Sequence, residues 1–194
     1  MGSVRVALAM LAAILLLPGC RGQGPLIFGS FGDSASAPAA VYQHTIVEDD
    51  EAVGVTVVEG PLAYEPFVLD AEKYLVRALV PLGDKPPAGQ YQVYIRADVD
   101  RWIYLGQAYS HGEALETVLI DREAVRCSST TKEICSRTEK LAVTVSYQQL
   151  QAFAETGFDF KVLGRRDSRS FSIPAGYFRG FLLRLDELKA ARAA

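Results

Sequence analysis

The sequence has few of the side chains that metal and nucleophile chemistry depend on. Of 194 residues, two are histidine and three are cysteine. A structural zinc site takes four ligands, usually Cys and His at characteristic spacing. His44 and His111 lie far from each other and from Cys127 and Cys135, so we expect no resident metal and no cofactor. A catalytic histidine also needs a nucleophile within hydrogen-bond reach and a group that orients it. The spacing around His44 and His111 supplies neither, and the expectation is a protein that is not an enzyme. An excess of positive charge is missing as well. Twenty Lys and Arg stand against 23 Asp and Glu, a formal charge of −3, which argues against nucleic acid, whose binders carry a basic face. Arg165-Arg166, followed at once by Asp167, reads as a solvated loop. There is no internal repeat, and the acidic run Asp49-Asp50-Glu51 lacks the spaced oxygen ligands and glycine of a calcium loop; it reads as a hydrated turn, as do Asp98 and Asp100.

One short apolar run stands at the N-terminus. Arg5 precedes an unbroken stretch from Val6 to Leu17, matching the charged and apolar regions of a secretory signal. A membrane-spanning helix wants about 20 apolar residues, whereas this run meets Pro18 and Gly19, both poor helix continuations. Leu17-Pro18-Gly19-Cys20 resembles the lipobox of bacterial lipoproteins, with a Leu three before the Cys and a small residue directly before it. Pro18 stands where that pattern more often has Ala or Ser. The resemblance implies that residues 1–19 are removed, that Cys20 carries a diacylglycerol and that the chain is held at a membrane. Several acyl chains on one residue give a stable anchor where one binds only marginally. In Gram-negative lipoproteins an Asp after the Cys favours the inner membrane, so Arg21 implies the outer membrane, facing the periplasm. An ordinary signal peptide cut elsewhere, or an uncleaved short anchor, remains the alternative. Removing Arg5 with the signal leaves 19 basic against 23 acidic residues, or −4.

Residues 20–40 are dominated by Gly, Ser, Ala and Pro and read as a flexible tether with a root-mean-square reach of roughly 25 Å. Leu26, Ile27, Phe28 and Phe31 are its apolar exceptions, placed to dock on the domain or the membrane. Gly29-Ser30-Phe31-Gly32 is not a nucleophile elbow, because Phe28 occupies the position of that motif's first glycine.

Residues 41–194 are expected to form a single β-rich domain of α+β class, mostly antiparallel and sandwich-like, with two helices. Val41–Val47, Val53–Val58 and Tyr74–Val80 read as strands. Tyr91–Ala97 and Trp102–Tyr109 read as a hairpin with Ala97 opposite Trp102, which puts Tyr91, Val93, Ile95, Trp102 and Tyr104 on one buried face. Tyr94, Tyr109 and the turn residue His111 are then the exposed ones, and Tyr94 with His111 marks a candidate binding surface. Glu116–Val125 and Lys140–Val145 read as further strands. Between them lie Cys127 and Cys135, expected to form a disulfide in an exported chain once Cys20 is lipidated. Closing so short a loop stabilises by roughly 2.5 kcal/mol. Ser146 and Gln149 fit a capping box for a helix over residues 147–156 that ends at Gly157. Phe158–Leu163 and Arg169–Ile173 read as strands. Pro174 opens a C-terminal helix whose apolar stripe is Tyr177, Phe178, Phe181, Leu182, Leu185 and Leu188.

An export signal without a catalytic constellation suggests a membrane-anchored envelope lipoprotein acting as a binding, assembly or structural module, with envelope proteins as partners. Two alternatives stay open: a tethered envelope hydrolase built around His111 and nearby acids, and a carrier holding a lipid or small apolar ligand between sheet and final helix.

Overall fold

Strict alternation of buried and half-buried side chains runs through the longest strands, and the buried set is what the rest of the chain folds onto. The computed structural model describes residues 36–64, 73–82, 91–124 and 137–193. They form α1 (Pro38–His44), β1 (Ile46–Asp50), β2 (Val55–Glu59), β3 (Ala63–Tyr64), β4 (Lys73–Pro81), β5 (Tyr91–Val99), β6 (Leu105–Ser110), β7 (Glu113–Leu115), β8 (Thr117–Ala124), β9 (Arg137–Val145), α2 (Tyr147–Thr156), β10 (Phe158–Gly164), β11 (Ser168–Ile173) and α3 (Ala175–Ala193). The class is α+β, and the two sheets are antiparallel throughout. One runs in the order β1-β2-β4-β5-β9-β8, with β3 also on β4; the other runs β11-β10-β6-β7.

In β4, β5 and β9 the inward residues Tyr74, Val76, Ala78, Val80, Tyr91, Val93, Ile95, Leu141, Val143 and Val145 are buried. They share one core with Leu150 of α2, with Phe158, Phe160, Val162 and Phe171 of the smaller sheet, and with Tyr177, Phe178, Phe181 and Leu185 of α3. The helical stripe expected from the sequence is therefore a packed one. Rings pack against the final helix, where Phe153 of α2 stacks on Phe158 at 4.1 Å between centroids and lies 5.3 Å from Phe178. The opposite face of the large sheet mixes apolar residues such as Leu75, Leu79 and Ala142 with a polar network. There Arg77 donates to the Tyr94 hydroxyl at 3.0 Å, and Asp98 accepts from Lys73 at 2.8 Å, Arg96 at 3.1 Å and Thr138 at 2.7 Å. Asp98 is thus a strand residue rather than the turn residue expected. Burial alone would raise its carboxyl, but the hydrogen bonds from Lys73, Thr138 and Arg96 outweigh it and hold the group below the usual carboxylate range.

The α2 capping box is formed: Gln149 N–H donates to Ser146 Oγ at 3.1 Å, and Ser146 N–H to Gln149 Oε1 at 2.7 Å. Gly157 ends the helix at φ +79°, where a Cβ would lie 2.9 Å from the Ile173 carbonyl oxygen. A residue with a side chain meets strain and a clash there.

Two expectations change. Val41–Val47 was read as a strand, but α1 occupies Pro38–His44 and the strand starts at Ile46, so Ala39 and Ala40, read as the end of the tether, are helical. Pro38 supplies a helix-compatible φ at the start. Gly180 on α3 lets the short helix approach so closely that a Cβ there would sit 2.3 Å from the Pro38 carbonyl oxygen and 2.7 Å from Val41 Cβ. The second change concerns the hairpin. β5 pairs with β4 and β9, whereas β6 lies in the other sheet beside β10 and β7, so Ala97 does not face Trp102. Tyr91, Val93 and Ile95 do share the buried face, but Trp102 and Tyr104 are half-buried in a crossover, and Ile103 and Leu105, expected opposite them, are the buried residues. The signal segment, Cys20, most of the tether and the Cys127–Cys135 pair lie outside the described residues. Among the described residues, no helix is long and apolar enough to cross a membrane.

α3 is locked to the large sheet by one hydroxyl. Between β2 and β3, Gly60 N–H still donates to the Val76 carbonyl at 2.8 Å, but the regular pairing with β4 stops at Glu59 and resumes only at Ala63. The fully buried Tyr177 fills the gap, accepting from Val76 N–H at 3.3 Å and donating to the Pro61 carbonyl at 2.7 Å. A Cβ on Gly60 would meet that hydroxyl at 2.5 Å. Burial pushes the phenol well above its ordinary range and keeps the donor protonated. Tyr177→Phe keeps the ring and strands two buried backbone groups, so it should cost about 2 kcal/mol; equilibrium urea unfolding that shows no loss would remove this role.

Candidate functional site

The crossover from one sheet to the other runs through Trp102, Ile103 and Tyr104. It must be packed tightly because Ile103 and Leu105 are buried at its two sides. That leaves consecutive backbone N–H groups inside the protein with no strand to pair with, and unpaired buried donors are costly. The acceptor comes from β9. Glu139 is 0 % exposed. Its Oε1 accepts from Ile103 N–H at 2.7 Å and Tyr104 N–H at 2.9 Å, and its Oε2 accepts from Leu105 N–H at 2.7 Å. Arg122 of β8 completes the arrangement, with Nε 3.4 Å from Glu139 Oε2 and Nη2 donating to the Leu105 carbonyl at 2.9 Å. A buried carboxylate is tolerated when its charge is paired and its lone pairs are filled, and both conditions are met here.

This grip bends Tyr104 into the left-handed region at φ +58°, a conformation uncommon for a bulky residue and typical of functional or overdetermined positions. The half-buried ring becomes a platform for three guanidinium groups. Arg122 lies 5.4 Å from its centroid, Arg166 5.6 Å and Arg165 5.8 Å, all within cation–π range. Arg165 and Arg166 reach it from the turn between β10 and β11, which is tied down where Arg166 N–H donates to the Ile103 carbonyl. Gly164 opens that turn because a Cβ there would sit 2.4 Å from the same Ile103 oxygen. Trp102 adjoins the patch and carries Arg137 5.8 Å from its ring centroid. Arg165 and Arg166, read from the sequence as solvated loop residues, are exposed, and their acidic neighbour Asp167 accepts from Arg169 at 2.7 Å and from Ser168 N–H at 2.8 Å. The hydrogen bond from Arg169, that from Ser168 N–H and the charge of Arg101 hold its carboxyl below the ordinary range.

The two residues marked as a binding surface lie apart from this patch. Tyr94 is half-buried on the mixed face of the large sheet beside Arg77, whose guanidinium is 5.5 Å from its ring centroid. His111 is exposed at the tip of the β6–β7 hairpin, where His111 (φ +50°) and Gly112 (φ +88°) form the two-residue turn. It lines an open groove of about 440 Å³ with Tyr109, Ser110, Asp159, Lys161, Ser170 and Ser172. Serine, histidine and aspartate are all present there, yet the Ser172 hydroxyl donates to Asp159 at 2.6 Å and the Ser110 hydroxyl to the Asp159 carbonyl at 2.7 Å. The imidazole makes no hydrogen bond among the described residues. Turn geometry accounts for His111, and no base-and-orienter pair is assembled around it.

Asp49, Asp50 and Glu51 line a second groove of about 600 Å³ with Glu48, Glu59 and Arg77. Asp49 and Asp50 belong to strand β1 rather than to a turn, and the Asp49 carboxylate is engaged by Thr56 and, at 3.2 Å, by Arg192. Burial raises the Glu59 carboxyl, partly offset by Arg77. Among the described residues no group of three or more His, Cys, Asp or Glu stands together in a way that would hold a metal. Searches of protein-family models, curated proteins and solved structures return no match for the chain.

Glu139→Gln tests the grip. An amide places an NH₂ against backbone donors and Arg122, so it should cost about 2–4 kcal/mol and free Tyr104 from its strained conformation. Denaturant unfolding measures the first effect and near-ultraviolet circular dichroism the second; a variant as stable as the parent refutes it.

Proposed function

We propose that this chain is a lipid-anchored protein of the bacterial cell envelope whose folded domain is a non-enzymatic binding or assembly module. The observation that carries the reading is the root of the domain. Ser36 packs against α3 so closely that a Cβ on Gly176 would sit 1.9 Å from its carbonyl oxygen, and α1 follows at once with Val41 fully buried. About 16 residues then separate Cys20 from the folded body, a tether with a root-mean-square reach of roughly 22 Å. That suits a globular domain held just clear of lipid headgroups. Arg21 after the acylated cysteine favours the outer membrane, facing the periplasm, in a Gram-negative source. The Ser172–Asp159 pairing beside an unoriented His111 supports binding over hydrolysis. The packing of rings against α3 supports a surface interaction over carriage of an apolar ligand. Its partners in this role are the membrane, through the lipid on Cys20, and other envelope proteins.

Cys20→Ala should abolish incorporation of labelled palmitate and move the protein from the membrane to the soluble fraction on cell fractionation. Equal membrane association of the variant, with no palmitate in the parent, would falsify the anchor.

A further inference from the structure

The cluster at Tyr104 holds more positive charge than the described residues around it neutralise. Arg122 is matched by Glu139. Arg165 and Arg166 are exposed, lie 5.8 and 5.6 Å from the same ring centroid and pair with no carboxylate among the described residues, because the adjacent Asp167 is engaged by Arg169 and Ser168 N–H. Like charges gathered around one ring repel one another even in water. Two exposed arginines are free to swing apart, yet here they converge on a tyrosine that Glu139 has fixed in a left-handed conformation. Arg101 adds a further exposed cation in the same loop, within electrostatic reach of Asp167. Planar guanidinium forks on a rigid aromatic platform match the geometry of a tetrahedral oxyanion, which they can grip through paired N–H donors.

We propose that Arg165 and Arg166, backed by Tyr104 and Arg122, form a binding site for a phosphate group. This names a ligand class for the binding role proposed above. The group is carried either by a soluble phosphate or by an anionic lipid headgroup of the membrane to which Cys20 would tie the domain. The two arginines supply the charge-assisted hydrogen bonds. Tyr104 keeps them together when the site is empty, so little side-chain freedom is lost on binding. Trp102, the single tryptophan of the chain, stands two residues from Tyr104 and reports on the site.

The test uses the full chain in micelles of a neutral detergent, titrated by calorimetry with inorganic phosphate at constant ionic strength while Trp102 emission is recorded. A saturable heat is expected, weakened about tenfold or more in Arg165→Ala/Arg166→Ala. Arg165→Lys/Arg166→Lys, which keeps the charge but not the fork, should fall between. Both pairs are exposed, and an unchanged melting curve shows that the fold is intact. Replacing phosphate by micelles doped with phosphatidylglycerol, against phosphatidylcholine as control, separates the two sources. Competition between lipid and phosphate assigns the headgroup, and binding of phosphate alone assigns a soluble ligand. Absence of a saturable heat with either probe, or equal affinity in the double alanine variant, overturns the site. The outcome is independent of Cys20→Ala fractionation, so the anchor and the phosphate site can fail separately.

Discussion

A chain that builds two sheets must cross between them, and in this protein the crossing is paid for by one carboxylate. β5 ends at Val99 in the seven-stranded sheet and β6 begins at Leu105 in the four-stranded one. In between, Ile103 is buried next to the buried start of β6 at Leu105, with half-buried Trp102 and Tyr104 around it, and the donors there need an acceptor from the protein. Glu139 takes three of them at once. A neutral side chain at that position has too few acceptor lone pairs to do so. The charge this brings inside then requires Arg122, and the geometry it imposes turns Tyr104 outward with a positive φ. Fold and surface chemistry are therefore coupled here: the same contact that joins the sheets creates the aromatic platform on which the arginines gather.

The second constraint is the way α3 closes the large sheet. Apolar rings pack there, but rings alone leave the interrupted edge between β2 and β3 with unpaired backbone groups. The Tyr177 hydroxyl answers both Val76 N–H and the Pro61 carbonyl. The small residues Gly176 and Gly180 on the same helix admit Ser36 and α1. Helix α3 thus packs on the sheet and fixes the point from which the N-terminal segment leaves. That gives the apolar stripe read in the sequence a further task which periodicity could not express.

Much of this was legible in local pattern. The capping box at Ser146 and Gln149, the glycine stop at Gly157, the alternation of Phe158–Leu163 and the stripe of α3 are all set by interactions within a few residues, and each stands in the structure as read. The β-rich α+β class followed from the same local evidence. What failed depended on contacts between segments distant in the chain. Alternation shows which face a residue occupies but not which strand lies beside it, so β5 was joined to β6 across a loop that in fact leads to another sheet. The β-branched run near Val41 suggested a strand because nothing local announces that Gly180, 139 positions later, leaves a slot for a helix. Arg165 and Arg166 are the exposed loop residues that they read as, but nothing local announces that the ring of Tyr104, distant in the chain, lies beside them. Glu139 gave no signal at all, since a carboxylate in a polar-looking stretch of Arg, Thr, Glu and Lys reads as solvent-facing.

The positions of the tether root and the arginine cluster constrain each other. Phe158 pairs with Ile173, just before Pro174 and the Gly176 that holds Ser36, whereas Arg165 and Arg166 follow Gly164 at the other end of β10. The strand between spans about 20 Å. Under the proposed lipid anchor on Cys20, a domain held at one end of this hairpin would either lay the hairpin along the membrane, with its far end at headgroup level, or stand upright with that end away from the lipid. Attraction between a basic tip and anionic headgroups adds about 1 kcal/mol per unpaired arginine near the surface and fades within a Debye length. If the proposed anchor and phosphate site both hold, two such arginines would favour the lying orientation on an anionic membrane, and an aqueous phosphate in the cluster would release it. On the proposed anchoring, orientation on the membrane would be set by Arg165 and Arg166, at the end of β10 opposite the one that lies by Ile173 and the Ser36 root.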